Sequence, residues 1–448
     1  MKLYQDKKIY ILALSIALPL LIVSCRTSFT PNISKIKGDH AQILVLKYLM
    51  QPMASGPCLA SLVGPPSAKF HCMQWVANID AAPTYERARN FIFTGSGDNF
   101  LHVIDANSGA IFSRIPTTGR VVTKVVFNPD GSHIYFGTDQ GVVCGFDAFK
   151  FTKLFSFQAD SRINNDIMLV SDSLLFSSGL ATVYKISLDG QESWRAVRPI
   201  GASRLRLASN SNLFFLKSDP HGLASGDLVA APHPDGYISV FDFMTSHVLH
   251  NIELTQGGIR RAFPDIVAPM LYVGQALWVA SYDLGIARID PRSGQIISHV
   301  LDQKGQSIQH IQEMATDQER IYAASNNNLM AFSLGGEIVW QKNIEEFKTK
   351  NARYGFPFER FETSPKRLFN GLPSRLLLSD DRLIMATSLG AMGMFDIRNG
   401  ELRQVVGNSL GFGPKIDFLG NQGVIAMTPR GSLALFLLEK LRKGGNQL

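Results

Sequence analysis

The sequence predicts an all-β protein, a β-propeller of eight blades with four antiparallel strands each. Three observations predict it. A two-strand unit recurs eight times between residues 74 and 437, its strands are apolar with little alternation, and tight polar or glycine turns separate them at near-regular intervals. Repetition at such a period signals a closed array, where 448 residues would otherwise suggest two or three separate domains.

The unit is one apolar stretch, a tight turn, and a second stretch ending in Asp or a substitute. The first copy runs from Phe91 to Gly95, turns through Ser96-Gly97-Asp98-Asn99 and continues from Phe100 to Asp105. The later copies begin at Ile134, Leu174, Leu228, Leu277, Ile321, Leu383 and Val424. Their second stretches end at Asp147, Ser187, Asp242, Asp290, Ser333, Asp396 and Leu437. Successive ends lie 42, 40, 55, 48, 43, 63 and 41 residues apart. The shorter spacings match four-stranded blades of roughly 40–50 residues. Apolar runs without alternation are covered on both faces, as stacked blades require. Small residues recur at the end of the first stretch, which suits an inner strand where blades crowd. A further strand often follows through a glycine turn, as at Asn107-Ser108-Gly109, Leu188-Asp189-Gly190, Arg292-Ser293-Gly294 and Arg398-Asn399-Gly400, and two copies run on to Trp194 and Trp340.

The clearest copy, Phe332-Ser333-Leu334-Gly335-Gly336-Glu337-Ile338-Val339-Trp340, resembles the quinoprotein (PQQ)-type repeat. The resemblance extends over residues 74–437 and is degenerate, since most copies lack the Trp and three lack the Asp. The Gly-His and Trp-Asp pairing of WD40 repeats is missing from these copies.

The N-terminus has its own pattern. Lys2, Lys7 and Lys8 precede an uncharged apolar run from Ile9 to Val23. This run is shorter than the roughly 20 residues of a membrane span and reads as an export signal. Ile22-Val23-Ser24-Cys25 resembles the bacterial lipobox. That resemblance implies removal of residues 1–24 and a lipid on Cys25; an ordinary signal peptide or a short uncleaved anchor is the alternative. Arg26, rather than Asp, follows the cysteine, which by analogy with enteric lipoproteins implies the outer membrane. Beyond residue 24 the chain holds 41 Lys+Arg and 36 Asp+Glu, spread without a polybasic block. Such a distribution serves solubility and argues against nucleic acid as a partner.

Residues 25–73 form a lead-in. Cys58 and Cys72 flank Gly64-Pro65-Pro66. In an oxidising compartment they are either a disulfide or two separate thiols. Cys144 lies in an apolar strand and reads as a buried small hydrophobe. No cysteine or histidine cluster has metal-site spacing. The eighth copy runs out into a basic tail, residues 438–448, without an outer strand. The strand-like segment 41–49 is expected to supply it, closing the ring and covering an open edge; a short amphipathic helix on the rim is the alternative.

Quinone-dependent dehydrogenation needs calcium held by carboxylates and an amide, a catalytic Asp and a flat aromatic under the quinone. The adjacent cysteines that often cap the cofactor in that family are missing here. Asp98, Asp139 and Asp283 fall in tight turns that need no catalytic role. The expectation is a non-enzyme without cofactor or metal. Two insertions interrupt the repeat, 195–226 and 341–381. The first includes Leu213-Phe214-Phe215-Leu216, in part the next blade's inner strand. The second interleaves aromatics with cations, and Tyr354, Phe356, Phe358, Arg360 and Phe361 are its candidate partner-binding residues. Phenylalanines tucked under the loop with cations snorkelling outward are the alternative.

A lipobox, eight blades and degenerate quinoprotein-type repeats together resemble the BamB family. The resemblance implies a periplasm-facing scaffold, lipid-anchored in the outer membrane, with protein partners in β-barrel assembly. The competing expectations are a periplasmic or surface propeller for a carbohydrate, peptide or adhesion partner and, more remotely, a PQQ-dependent dehydrogenase.

Overall fold

In the computed structural model, the two stretches read from each copy are the middle pair of a four-stranded meander. The described residues are 42–52, 69–73, 81–163, 165–197, 211–218, 226–254, 264–344, 372–379, 381–388, 391–407, 416–418, 423–427 and 433–440. Blade 1 consists of Thr84–Glu86, Phe91–Ser96, Phe100–Asp105 and Ile111–Pro116. Blade 2 is Val126–Phe127, His133–Gly137, Val142–Asp147 and Lys153–Gln158. Blade 3 is Met168–Val170, Ser173–Ser177, Thr182–Ser187 and Glu192–Val197, and blade 4 is Phe214–Leu216, Leu228–Pro232, Tyr237–Asp242 and Val248–Glu253. Blade 5 is Leu271–Val273, Ala276–Ser281, Gly285–Asp290 and Gln295–Val300, and blade 6 is Ile311–Thr316, Arg320–Ser325, Asn328–Ser333 and Ile338–Asn343. Blade 7 is Pro373–Ser379, Arg382–Thr387, Ala391–Asp396 and Leu402–Gly407.

Blade 8 is assembled from both ends of the described chain. Ile416–Phe418, Gly423–Met427 and Leu433–Lys440 are joined by Gln42–Pro52, which pairs antiparallel with Leu433–Lys440 from Gln42 opposite Lys440 to Met50 opposite Leu433. The segment 41–49 lies almost wholly in this strand. A fifth strand, Lys69–Met73, adds in parallel outside it. Ring closure is visible at the centre, where Ile416–Phe418 packs against Thr84–Glu86 on one side and Pro373–Ser379 on the other.

The strand rich in small residues is the second of each blade, not the innermost. Another strand lies inside it, shorter in most blades and only Val126–Phe127 in blade 2, and neighbouring innermost strands pack against one another, as Ile311–Thr316 does against Pro373–Ser379. The cores lie between blades. Phe93 and Val103 of blade 1 meet Ile134, Phe136 and Cys144 of blade 2. Phe332 and Met330 of blade 6 meet Trp278 and Ala280 of blade 5. Both middle strands are therefore buried on both faces, which is why they read as unbroken apolar runs.

The meander sorts the loops. Turns from first to second and from third to outer strand lie on one face, the turn face. Middle-pair hairpins and links to the next blade lie on the opposite, connection face. Every outer strand carries a bulge at the same register, at Phe112, Leu154, Ser193, Leu249, Ile297, Val339 and Arg403 and, in the closing strand, at Lys47. Bulges twist an edge strand away from further pairing; in blade 8 the fifth strand pairs with the closing strand only from Tyr48 onward, past its bulge. Among the described residues no helix is long and apolar enough to cross a membrane.

Candidate functional site

Most of the polar chemistry in the repeat holds blades together. The strand-end carboxylates bind the turns that follow them. Asp105 accepts from the Ser108 amide at 2.6 Å and its hydroxyl at 2.7 Å. Asp147 accepts from Lys150 N at 2.7 Å, Asp242 from Thr245 N at 2.7 Å and Asp290 from Ser293 Oγ at 2.7 Å. Asp396 is bound by Arg398 at 2.8 Å and Arg403 at 2.5 Å, and these guanidiniums hold its carboxyl well below the usual carboxylate range.

In blades 3, 4 and 6 the residue after the bulge hydrogen-bonds the next blade. Trp194 donates Nε1–H to Phe243 O and Trp340 to Ile397 O, each at 2.9 Å, and His250 Nε2 lies 2.7 Å from Arg292 O. Phe243 and Ile397 directly follow Asp242 and Asp396, so both tryptophans grip the same turn of the neighbouring blade. Arg89 reaches the equivalent Ala148 O. A Cβ on the turn glycines Gly190, Gly294 or Gly400 would lie 2.4, 2.7 and 2.7 Å from Phe155, His250 and Trp340. Sequence reading noticed the tryptophans but not their targets, which are 49 and 57 residues away.

A second polar system rings the centre near the connection face. Lys124, Asp166, Asn212, Glu313 and Arg375 occupy one register position just before or within the innermost strands of blades 2, 3, 4, 6 and 7. Lys124 N donates to Asp166 Oδ1 at 2.8 Å, Asp166 N donates to Asn212 Oδ1 at 3.1 Å, and the Lys124 ammonium pairs with Asp417 of blade 8. Glu313 is buried and accepts the Leu376 amide at 3.4 Å; burial pushes its carboxyl up to about 7 against the opposing pull of Arg375. No charge pattern in the sequence joins residues so far apart.

Two buried constellations look chemical but are closed in. His233 Nε2 lies 2.8 Å from Ser239 Oγ, which donates to Asn251 Oδ1 at 2.7 Å. His233 stands where other blades place the buried hydroxyls of Thr138, Ser178, Ser281, Ser325 and Thr387, at the end of the second strand. His102 bonds Asp98 at 3.0 Å from a fully buried position. Neither offers a nucleophile to a substrate. Cys144 is a free buried thiol, pushed up to about 11 by desolvation, and so is unreactive. Among the described residues no group of three His, Cys, Asp or Glu side chains could hold a metal ion. With the strand-end carboxylates bound into turns, the described residues do not fit a calcium-held quinone.

Of the residues singled out from sequence, Cys25, Cys58, Tyr354, Phe356, Phe358, Arg360 and Phe361 lie outside the described residues, as do the signal segment 1–24 and the tail beyond Lys440. Cys72 falls in the parallel edge strand Lys69–Met73. The 341–381 insertion is narrower than it reads. Gln341 to Asn343 close the outer strand of blade 6 and Pro373–Ser379 is the innermost strand of blade 7. The strands that flank this connection end at Asn343 and begin at Pro373 on the connection face.

Comparison with known proteins gives the following. The family profile described as outer membrane protein assembly factor BamB matches residues 97–342. No curated protein matches the chain. Among solved structures, BamB from Moraxella catarrhalis is similar at 13% identity and a TM-score of 0.58, covering 82% of this chain and 99% of that one. The computationally designed Ika8 protein gives 14% and 0.59, over 81% of this chain and 96% of that one. Sqt1 of Saccharomyces cerevisiae gives 15% and 0.61, over 82% and 97%. At these identities the solved structures establish the propeller fold, which hosts many functions.

Proposed function

Since the chain belongs to the BamB family of outer membrane protein assembly factors, we propose that it is a non-catalytic protein-binding scaffold acting in outer-membrane β-barrel assembly, held to the periplasmic side of the outer membrane by a lipid on Cys25. The observation that carries the scaffold reading is where the ionisable groups go. Strand-end carboxylates bind turns, and the tryptophans bind neighbouring blades, so the described repeat is built for rigidity.

A rigid ring presents loops without deforming, which lowers the ordering cost of binding. The partner surface assigned here is the connection face, where the link through Tyr354, Phe356, Phe358, Arg360 and Phe361 joins blades 6 and 7. Aromatics and arginine are the residue types that anchor interfaces.

Deleting the gene and quantifying outer-membrane β-barrel proteins tests the assembly role. A fall in those proteins, restored by the intact gene, supports it. Unchanged levels under envelope stress contradict it.

A further inference from the structure

We draw no further inference here: the strongest candidate, the open cleft of about 390 Å3 between the innermost strands of blades 3 and 4, walled by Met168, Leu169, Phe214 and Phe215 with Lys217 and Asp227 at its rim, carries nothing because no feature among the described residues shows what covers its apolar walls.

Discussion

Trp340 donates its indole N–H to the carbonyl oxygen of Ile397 at 2.9 Å, across the junction between blades 6 and 7. Its ring also covers Gly400, whose φ of 69° is one that a side chain rarely adopts. Trp340→Phe removes the bond and leaves a carbonyl to find water, a cost of roughly 1–2 kcal/mol. Gly400→Ala adds backbone strain to a 2.7 Å overlap and should cost about 2 kcal/mol or more. Denaturant unfolding of both variants checks this. A Gly400→Ala protein as stable as wild type would mean that the turn does not sit under the indole.

Glu313 gives the ring a pH signature. Its carboxyl titrates near 7, against 4.5 for an ordinary glutamate, because burial disfavours the charge. A folded value above the unfolded one means the native state binds the extra proton, so this group's contribution to stability declines as pH rises from about 4.5 to 7. The full difference is on the order of 3 kcal/mol. Glu313→Gln should flatten that component, most visibly as a gain in melting temperature above pH 7. Parallel pH profiles for the two proteins would refute the assignment.

Closure by Gln42–Pro52 predicts a long-range dependence. Tyr48 holds the register position after the bulge that Trp194 and Trp340 hold in their blades. Removing residues 42–52 exposes the edge of Leu433–Lys440 and should lower the thermal midpoint by about 5 °C or more. An unchanged melt would show that the last blade is sealed in another way.

The candidate binding link separates two readings by one triple variant. If Phe356, Phe358 and Arg360 face a partner, replacing all three with Ala should weaken capture more than tenfold, at roughly 2 kcal/mol per anchor. Stability should move by only roughly 0.5 kcal/mol per site. Buried phenylalanines would instead cost roughly 3–5 kcal/mol each in folding. A large drop in melting temperature with normal partner capture rules out the interface.

The legible parts of the fold were those written in local pattern. Strands such as Ile134 to Thr138 and Val142 to Asp147 are apolar on both sides, so composition alone marks them as sandwiched. Apart from Leu213 to Leu216, read as part of an inner strand, the innermost strands escaped; several are only two or three residues, as at Val126–Phe127, and carry no periodicity. Their absence from the pattern made the small-residue strand read as the inner one. The bulge at Phe112 and its equivalents leaves no local mark either. It is defined by pairing with a neighbouring strand, and its consequence, a tryptophan or histidine on the next blade's turn, joins residues about one repeat apart. The central ring of Lys124, Asp166, Asn212, Glu313 and Arg375 is likewise a property of closure.

The scaffold role in barrel assembly is tested most directly by recovering the full-length protein from detergent-solubilised membranes under native conditions and identifying what stays bound. The account predicts stoichiometric co-purification of the β-barrel assembly machinery, lost in the Phe356, Phe358 and Arg360 triple variant while the propeller remains folded. Recovery of the intact protein free of that machinery, or with a polysaccharide or adhesion partner in its place, would contradict it.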